Sequence, residues 1–113
     1  MKIALLIGML ATVALASEDL DANAGCVGGR VVIQNLAQEN WTDVTIQVNF
    51  RILSSGYEYV ADLIPAKTTM RYLPGLFTLS DGTRLDLSRI ACKTINIHAT
   101  VDGKRKHWNG AYK

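Results

Sequence analysis

The chain has 113 residues, of which 49% are hydrophobic and 19% are charged, and its formal net charge at pH 7 is +2. A chain of this length encloses one hydrophobic core, which excludes a protein of several domains. The near balance of 12 basic and 10 acidic residues argues against a nucleic-acid-binding protein, in which lysine and arginine are in large excess.

The first sixteen residues have the features of a secretory signal peptide. Lys2 gives a positive start, residues 3–14 form an apolar stretch, and Ala14-Leu15-Ala16 is an A-x-A cleavage signal. The apolar stretch is shorter than the roughly 18 to 20 residues that a membrane-spanning helix needs. We therefore predict a signal peptide over 1–16 and a mature protein that is secreted or periplasmic, with no stable membrane insertion after cleavage.

Two cysteines remain after this processing, Cys26 and Cys92. In an oxidising compartment such a pair is most simply interpreted as one structural disulfide. In the chain-entropy model, closing the loop between Cys26 and Cys92 stabilises the fold by about 4 kcal/mol. A lipid-attachment site at Cys26 is the alternative, because Ala24-Gly25-Cys26 is similar to the end of a bacterial lipobox, but Asn23 stands where that motif has an aliphatic residue.

Residues 17–29 are predicted to be a loose segment that leads into a domain at 30–113. Within that domain, apolar residues recur with a period near two, which is typical of β-strands. The clearest strands place alternate apolar side chains on one face: Val44, Ile46, Val48 and Phe50 in the first, and Ile95, Ile97, Ala99 and Val101 in the second. Further strands are predicted at 31–36, 57–64, 69–73 and 106–112, with a short piece at 76–79. The pattern predicts an all-β chain with a single antiparallel β-sandwich of about six or seven strands.

Turn residues separate these strands at intervals of about ten residues. Asp102-Gly103 is the strongest hairpin signal, because glycine tolerates a positive φ and the flanking segments alternate. It predicts that the last two strands pair in antiparallel fashion. Asp81-Gly82 is a second hairpin signal, and residues 85–91 are predicted to form either a short helical turn or a crossover, with Asp86 or Ser88 as a cap.

The spacing of Cys26, Trp41 and Cys92 is similar to that of immunoglobulin domains, in which a core tryptophan packs on a disulfide between the sheets. Ile90 occupies the place, two residues before the second cysteine, where those domains have a tyrosine. We therefore expect a sandwich that is not a strict immunoglobulin domain. In it, Cys92 lies at the entry to a strand and ties the N-terminal segment to that strand.

A broader resemblance covers 31–112. The runs 33–36 and 41–49, followed by Tyr57 and Tyr59, resemble small exported bacterial β-sandwich domains of immunoglobulin-like architecture and of unknown function. In them an asparagine, a short loop, a tryptophan and alternating valine and isoleucine open the second strand. The resemblance implies the fold and an envelope or secreted setting, and it carries over no catalytic residue.

The sequence contains no recognisable reaction centre. His98 and His107 are expected near each other across the last hairpin, but no further metal ligands accompany them. Asp81 and Asp86 do not follow the alternating acidic pattern of calcium loops, and the chain has no G-x-S-x-G motif. We predict that the protein is not an enzyme and has no catalytic residue, cofactor or metal.

Two groups of residues are candidates for binding. The first is the basic run of Lys104, Arg105 and Lys106, and the second is the pair of Trp41 and Trp108, although these rings could instead cover the core. We predict a noncatalytic module that binds an unknown protein partner or acts as an envelope accessory, and that binds no nucleic acid. The alternative is a module that uses exposed aromatic rings and the basic hairpin tip to bind a glycan or an anionic surface.

Overall fold

Seven β-strands form the part of the chain described by the computed structural model, which comprises residues 19–50 and 56–111. Their bounds are β1 (Ala22–Val27), β2 (Arg30–Asn35), β3 (Trp41–Val48), β4 (Tyr57–Ile64), β5 (Thr69–Tyr72), β6 (Thr94–Val101) and β7 (Lys104–Ala111). The small sheet has the order β1-β2-β5 and the large sheet the order β4-β3-β6-β7. All neighbouring strands are antiparallel, so the predicted all-β sandwich is confirmed. The predicted signal peptide lies outside the described residues.

The core lies between the two sheets and is built from alternate residues of their strands. The predicted inward faces of β3 and β6 are confirmed by the burial of Val44, Ile46, Val48, Ile95, Ile97, Ala99 and Val101. The prediction that Phe50 shares this inward face is wrong, because Phe50 is 42% exposed and lies beyond the end of β3. Asn49 has a φ of 60°, which turns the chain and takes Phe50 out of the alternation.

Three aromatic rings connect the sheets on the side where β4 and β5 meet. The centroid of Tyr59, on β4, lies 5.1 Å from that of Tyr72 on β5 and 5.5 Å from that of Phe77. These distances and the tilted planes are those that aromatic pairs prefer. Burial raises the pKa of Tyr72 to about 12, and the nearby hydroxyl of Tyr59 contributes to the shift. This side of the sandwich is therefore held by ring packing.

An irregularity in β3 determines the position of Trp41. The register between β3 and β6 shifts between Thr42 and Thr45, and Asp43 within this stretch has a φ of 47°. Such a bulge changes the face to which the following side chains point. Trp41 and Val44, three residues apart, are consequently both fully buried.

The segment predicted to be loose, 17–29, contains strand β1. This strand pairs with β2 over its whole length, from Ala22 opposite Asn35 to Val27 opposite Arg30. Its sequence has few large apolar residues, so its extended conformation depends on pairing with β2 and on the burial of Ala24 rather than on a visible periodicity.

Several predicted boundaries differ by one or two residues. The predicted strands at 31–36, 69–73 and 106–112 correspond to β2 (30–35), β5 (69–72) and β7 (104–111) of the structure. Tyr112 lies outside the described residues. The piece at 76–79 overlaps a short 3-10 helix, Pro74–Leu76, after which Thr78 forms single bridges to Glu58 and Arg84. The hairpin at Asp102-Gly103 is confirmed, since both residues have a positive φ and β6 pairs with β7.

The predicted disulfide joins the two sheets. Cys26 lies in β1, Cys92 lies two residues before β6, and their Cα atoms are 6.3 Å apart. Asn49 fixes the segment around Cys92: its side chain accepts a hydrogen bond of 2.7 Å from the Lys93 amide and donates one of 2.9 Å to the Ala91 carbonyl. Because the sulfur of Cys26 is bonded to Cys92, it is not available for a lipid.

Residues 85–91 form turns, of which Asp86 caps one. The Ile90 amide donates to the Asp86 carbonyl at 2.9 Å, as in a helical turn, and the Asp86 carboxylate accepts hydrogen bonds from both the amide and the hydroxyl of Ser88. The bonds from Ser88 lower the pKa of Asp86. Of the two predicted cap residues, Asp86 has this role.

Candidate functional site

The outward face of the small sheet carries a groove of about 360 Å³, which we call the small-sheet groove. Two rows of side chains cross it from β1 through β2 to β5. The first row is Asn23, Gln34 and Thr69, and the second is Gly25, Val32 and Arg71. Val27 closes one end and is 65% exposed. Gly25, which has no side chain, lines the groove between Asn23 and Val27 on β1.

The first row is a chain of hydrogen-bonded side chains. The Asn23 amide nitrogen donates to the Gln34 side-chain oxygen at 3.1 Å, and the Gln34 amide nitrogen donates to the Thr69 hydroxyl at 3.3 Å. Each amide nitrogen carries two N–H donors, and these bonds use one on each. The row therefore links side chains of three strands while it keeps N–H donors for a ligand.

The small sheet is also positively charged. Its three strands contain two arginines, Arg30 and Arg71, and no aspartate or glutamate. Arg30 lies opposite Val27 and donates to the Gly29 carbonyl at 3.3 Å, whereas Arg71 lines the groove. An arginine with no neighbouring carboxylate on its own sheet is suited to an anionic ligand, which its guanidinium can bind in bidentate fashion.

Trp41 is not an exposed binding residue, which corrects one of the sequence-based candidates. The bulge in β3 turns its ring into the core, where its exposed fraction is 0%. Its indole N–H is buried without a hydrogen-bond partner among the described residues. Substitution of Trp41 would therefore remove core packing rather than a ligand contact.

Trp108 is half-buried and packs against the core, opposite Ile97 on β6. This position agrees with the interpretation of its ring as a cover for the core. Trp41 and Trp108 thus do not form a joint platform of exposed rings on which a sugar could stack.

The three basic residues of the hairpin do not form one patch. Lys104 is exposed at the tip, whereas the Arg105 guanidinium donates to the Asp43 carbonyl at 2.5 Å and to the Thr100 hydroxyl at 3.1 Å. Lys106 lies on the other face of β7 from Arg105, where it is half-buried and lines a cleft with Trp41. The alternation along β7 separates the three charges, so the predicted basic cluster is divided between two faces.

His98 and His107 face each other across β6 and β7, as predicted, with ring centroids 5.9 Å apart. Partial burial lowers the pKa of His98, and the charges of His107 and Arg105 lower it further, whereas the charge of Glu58 raises it. Within residues 19–50 and 56–111, no group of three or more histidine, cysteine, aspartate or glutamate residues could hold a metal ion.

The same described part of the chain has no helix with the length and hydrophobicity needed to span a membrane. Comparison with protein-family models, with curated proteins and with solved structures found no match to this chain.

Sequence reasoning missed the small-sheet groove. Its residues come from three separate segments and are ordinary polar and small side chains, with no motif among them. The signal available was local: residues 22–35 and 67–72 contain no aspartate or glutamate, whereas other segments of the chain carry both signs of charge.

Proposed function

We propose that this chain is an exported, noncatalytic module that binds another protein. The observation that supports the proposal best is the small-sheet groove, in which hydrogen-bonded polar side chains, exposed apolar surface at Val27 and the charge of Arg71 lie side by side. Interfaces between proteins combine these three properties. The disulfide between the sheets fits folding in an oxidising compartment, as export would require.

A protein partner is favoured over a sugar. Sugars bind most often to aromatic rings that are exposed on a flat or concave face, and among the described residues no aromatic side chain lines the small-sheet groove. The two tryptophans that could have supplied such rings pack in or against the core.

The proposal is tested by a quantitative pull-down from periplasmic or secreted extract of the source cells. Wild-type protein with its disulfide intact is immobilised, and the same protein that has been reduced and alkylated in denaturant, and verified as unfolded by circular dichroism, serves as the control. We expect saturable retention of an exported protein by the folded form only. If no saturable partner is retained under several salt concentrations, the proposed function is wrong.

Export is tested separately by measuring the thiol content of protein isolated from its native location. The expected result is that Cys26 and Cys92 do not react with an alkylating agent until a reductant is added. Reactive thiols in the native protein would contradict the proposed compartment.

A further inference from the structure

We infer that the small-sheet groove binds an acidic segment of the partner in an extended conformation. The inference rests on the proposed function, because that function supplies the partner. It specifies which face of the sandwich makes the contact and which chemical class of peptide fits it.

The charge of the small sheet selects an acidic ligand. Arg71 lines the groove and Arg30 lies at its margin, and the three strands contain no carboxylate that could neutralise either residue. The large sheet differs, because its strands carry both signs, for example Glu58 and Asp62 on β4 and Arg105 on β7. Complementary charge gives specificity to an interface and accelerates association.

The spacing of the rows fits an extended peptide. Side chains on one face of a strand repeat every second residue, at intervals of about 7 Å, and the same interval separates the side chains on one face of an extended ligand. A peptide that lies along the strands would therefore place successive same-side residues over successive rows. One carboxylate would lie near Arg71 in the second row, and the next residue on the same side, an apolar one, would lie one row further along, beside Val27.

The side-chain amides of Asn23 and Gln34 complete the site. Asn23 is hydrogen-bonded to Gln34, and Gln34 to Thr69, so part of the side-chain freedom that binding would cost is already restricted. Their remaining N–H donors suit the carbonyl groups of an extended backbone.

The experiment uses the intact disulfide-bonded protein and a dye-labelled eight-residue peptide of alternating glutamate and valine. Binding is measured by fluorescence anisotropy, and the contact face is mapped by NMR shifts of the backbone amides. The key variant is Arg71→Glu, and Lys104→Glu is the matched control, because it makes the same change of charge at the exposed hairpin tip. Circular dichroism verifies that both variants fold.

We expect the shifts to lie on β1, β2 and β5, and the affinity to fall by about tenfold or more in Arg71→Glu, which loses a charge-assisted bond and gains repulsion. The affinity of Lys104→Glu should stay within about twofold of wild type. Three results would overturn the inference: no binding of the peptide, an equal loss in both variants, or shifts confined to other strands. Binding of an acidic oligosaccharide in place of the peptide would also overturn it.

The same variants separate this inference from the proposed function. If Arg71→Glu retains the partner in the pull-down as well as wild type does, the partner uses another face and only the inference is wrong. If wild type retains no partner, the proposed function itself is wrong.

Discussion

The six-membered ring of Trp108 occupies the space that a side chain at position 110 would need. A Cβ atom built on Gly110 would lie 2.9 Å from Cζ3 and 3.0 Å from Cζ2 of that ring. A ring that packs over a glycine of the same sheet compensates for the missing side chain, and the glycine in turn lets the ring lie close to the backbone. Gly110 is therefore a packing residue for Trp108.

Gly110→Ala should destabilise the fold by about 1 to 3 kcal/mol, because the new methyl group displaces the indole. Urea unfolding followed by tryptophan fluorescence measures the change. Gly75→Ala is the control: the nearest atom, Cδ of Arg84, would lie 4.0 Å from its Cβ, and we expect a change within about 0.5 kcal/mol. Equal effects of the two substitutions would contradict this account of Gly110.

Asn35 should be the most sensitive polar position in the core. Its side chain is 1% exposed, its nitrogen donates to the carbonyls of Glu39, Ile64 and Pro65, and its oxygen accepts from the Ala37 amide. An aspartate in this place would direct a charged oxygen at the three carbonyls.

We expect Asn35→Asp to lower the free energy of unfolding by about 3 kcal/mol or more at neutral pH. Part of the loss should be recovered at acidic pH, where the carboxyl group regains a proton and can donate. Asn35→Ala should show no such recovery. Denaturant titrations at several pH values measure both effects, and a pH-independent loss in Asn35→Asp would argue against the assigned donor geometry.

The lowered pKa of His98 predicts how stability depends on pH. The folded state holds this proton more weakly than the unfolded chain, whose ordinary histidine pKa is 6.5. The contribution of His98 to stability is therefore complete above about pH 6.5 and is lost as the pH falls through the folded pKa. His98→Gln should reduce the slope of stability against pH below that value.

His107→Gln isolates one cause of the shift, because it removes the neighbouring imidazole charge and keeps a polar side chain. The pKa of His98, measured by NMR titration of its ring proton, should rise in this variant. A pKa that stays constant would show that the contact across β6 and β7 has no electrostatic effect.

Removal of the disulfide should cost up to about 4 kcal/mol, because the Cys26–Cys92 bond closes a separation of 66 residues. The double substitution Cys26→Ala and Cys92→Ala and the reduced wild-type protein should lose similar stability in thermal unfolding. A loss well below about 1 kcal/mol in both would show that Asn49 and the core alone hold the segment around Cys92.

The regular strands could be predicted because the alternation of apolar and polar residues is visible within each strand's own sequence. In β3 and β6, β-branched residues alternate with polar ones, and burial follows the alternation from Val44 to Val48 and from Ile95 to Val101. The hairpin at Asp102-Gly103 could be predicted for a similar reason, because the turn needs only two adjacent residues that accept a positive φ.

What the sequence did not predict depends on contacts between distant segments. The burial of Trp41 follows from a bulge at Asp43 that only the register against β6 reveals. Strand β1 forms because β2 is available to pair with it. The groove exists only once β1, β2 and β5 place Asn23, Gln34 and Thr69 in one row, and no periodicity in a single segment can indicate this.

The bond between Cys26 and Cys92 ties one wall of the small-sheet groove to the segment before β6. Among the described strands, β1 has a hydrogen-bonded neighbour on one side only, and it supplies one wall of the small-sheet groove. Its covalent attachment to the segment before β6 therefore helps to keep that wall in place. If the groove binds a peptide as inferred above, formation of this bond would be the step that completes the binding surface on the β1 side.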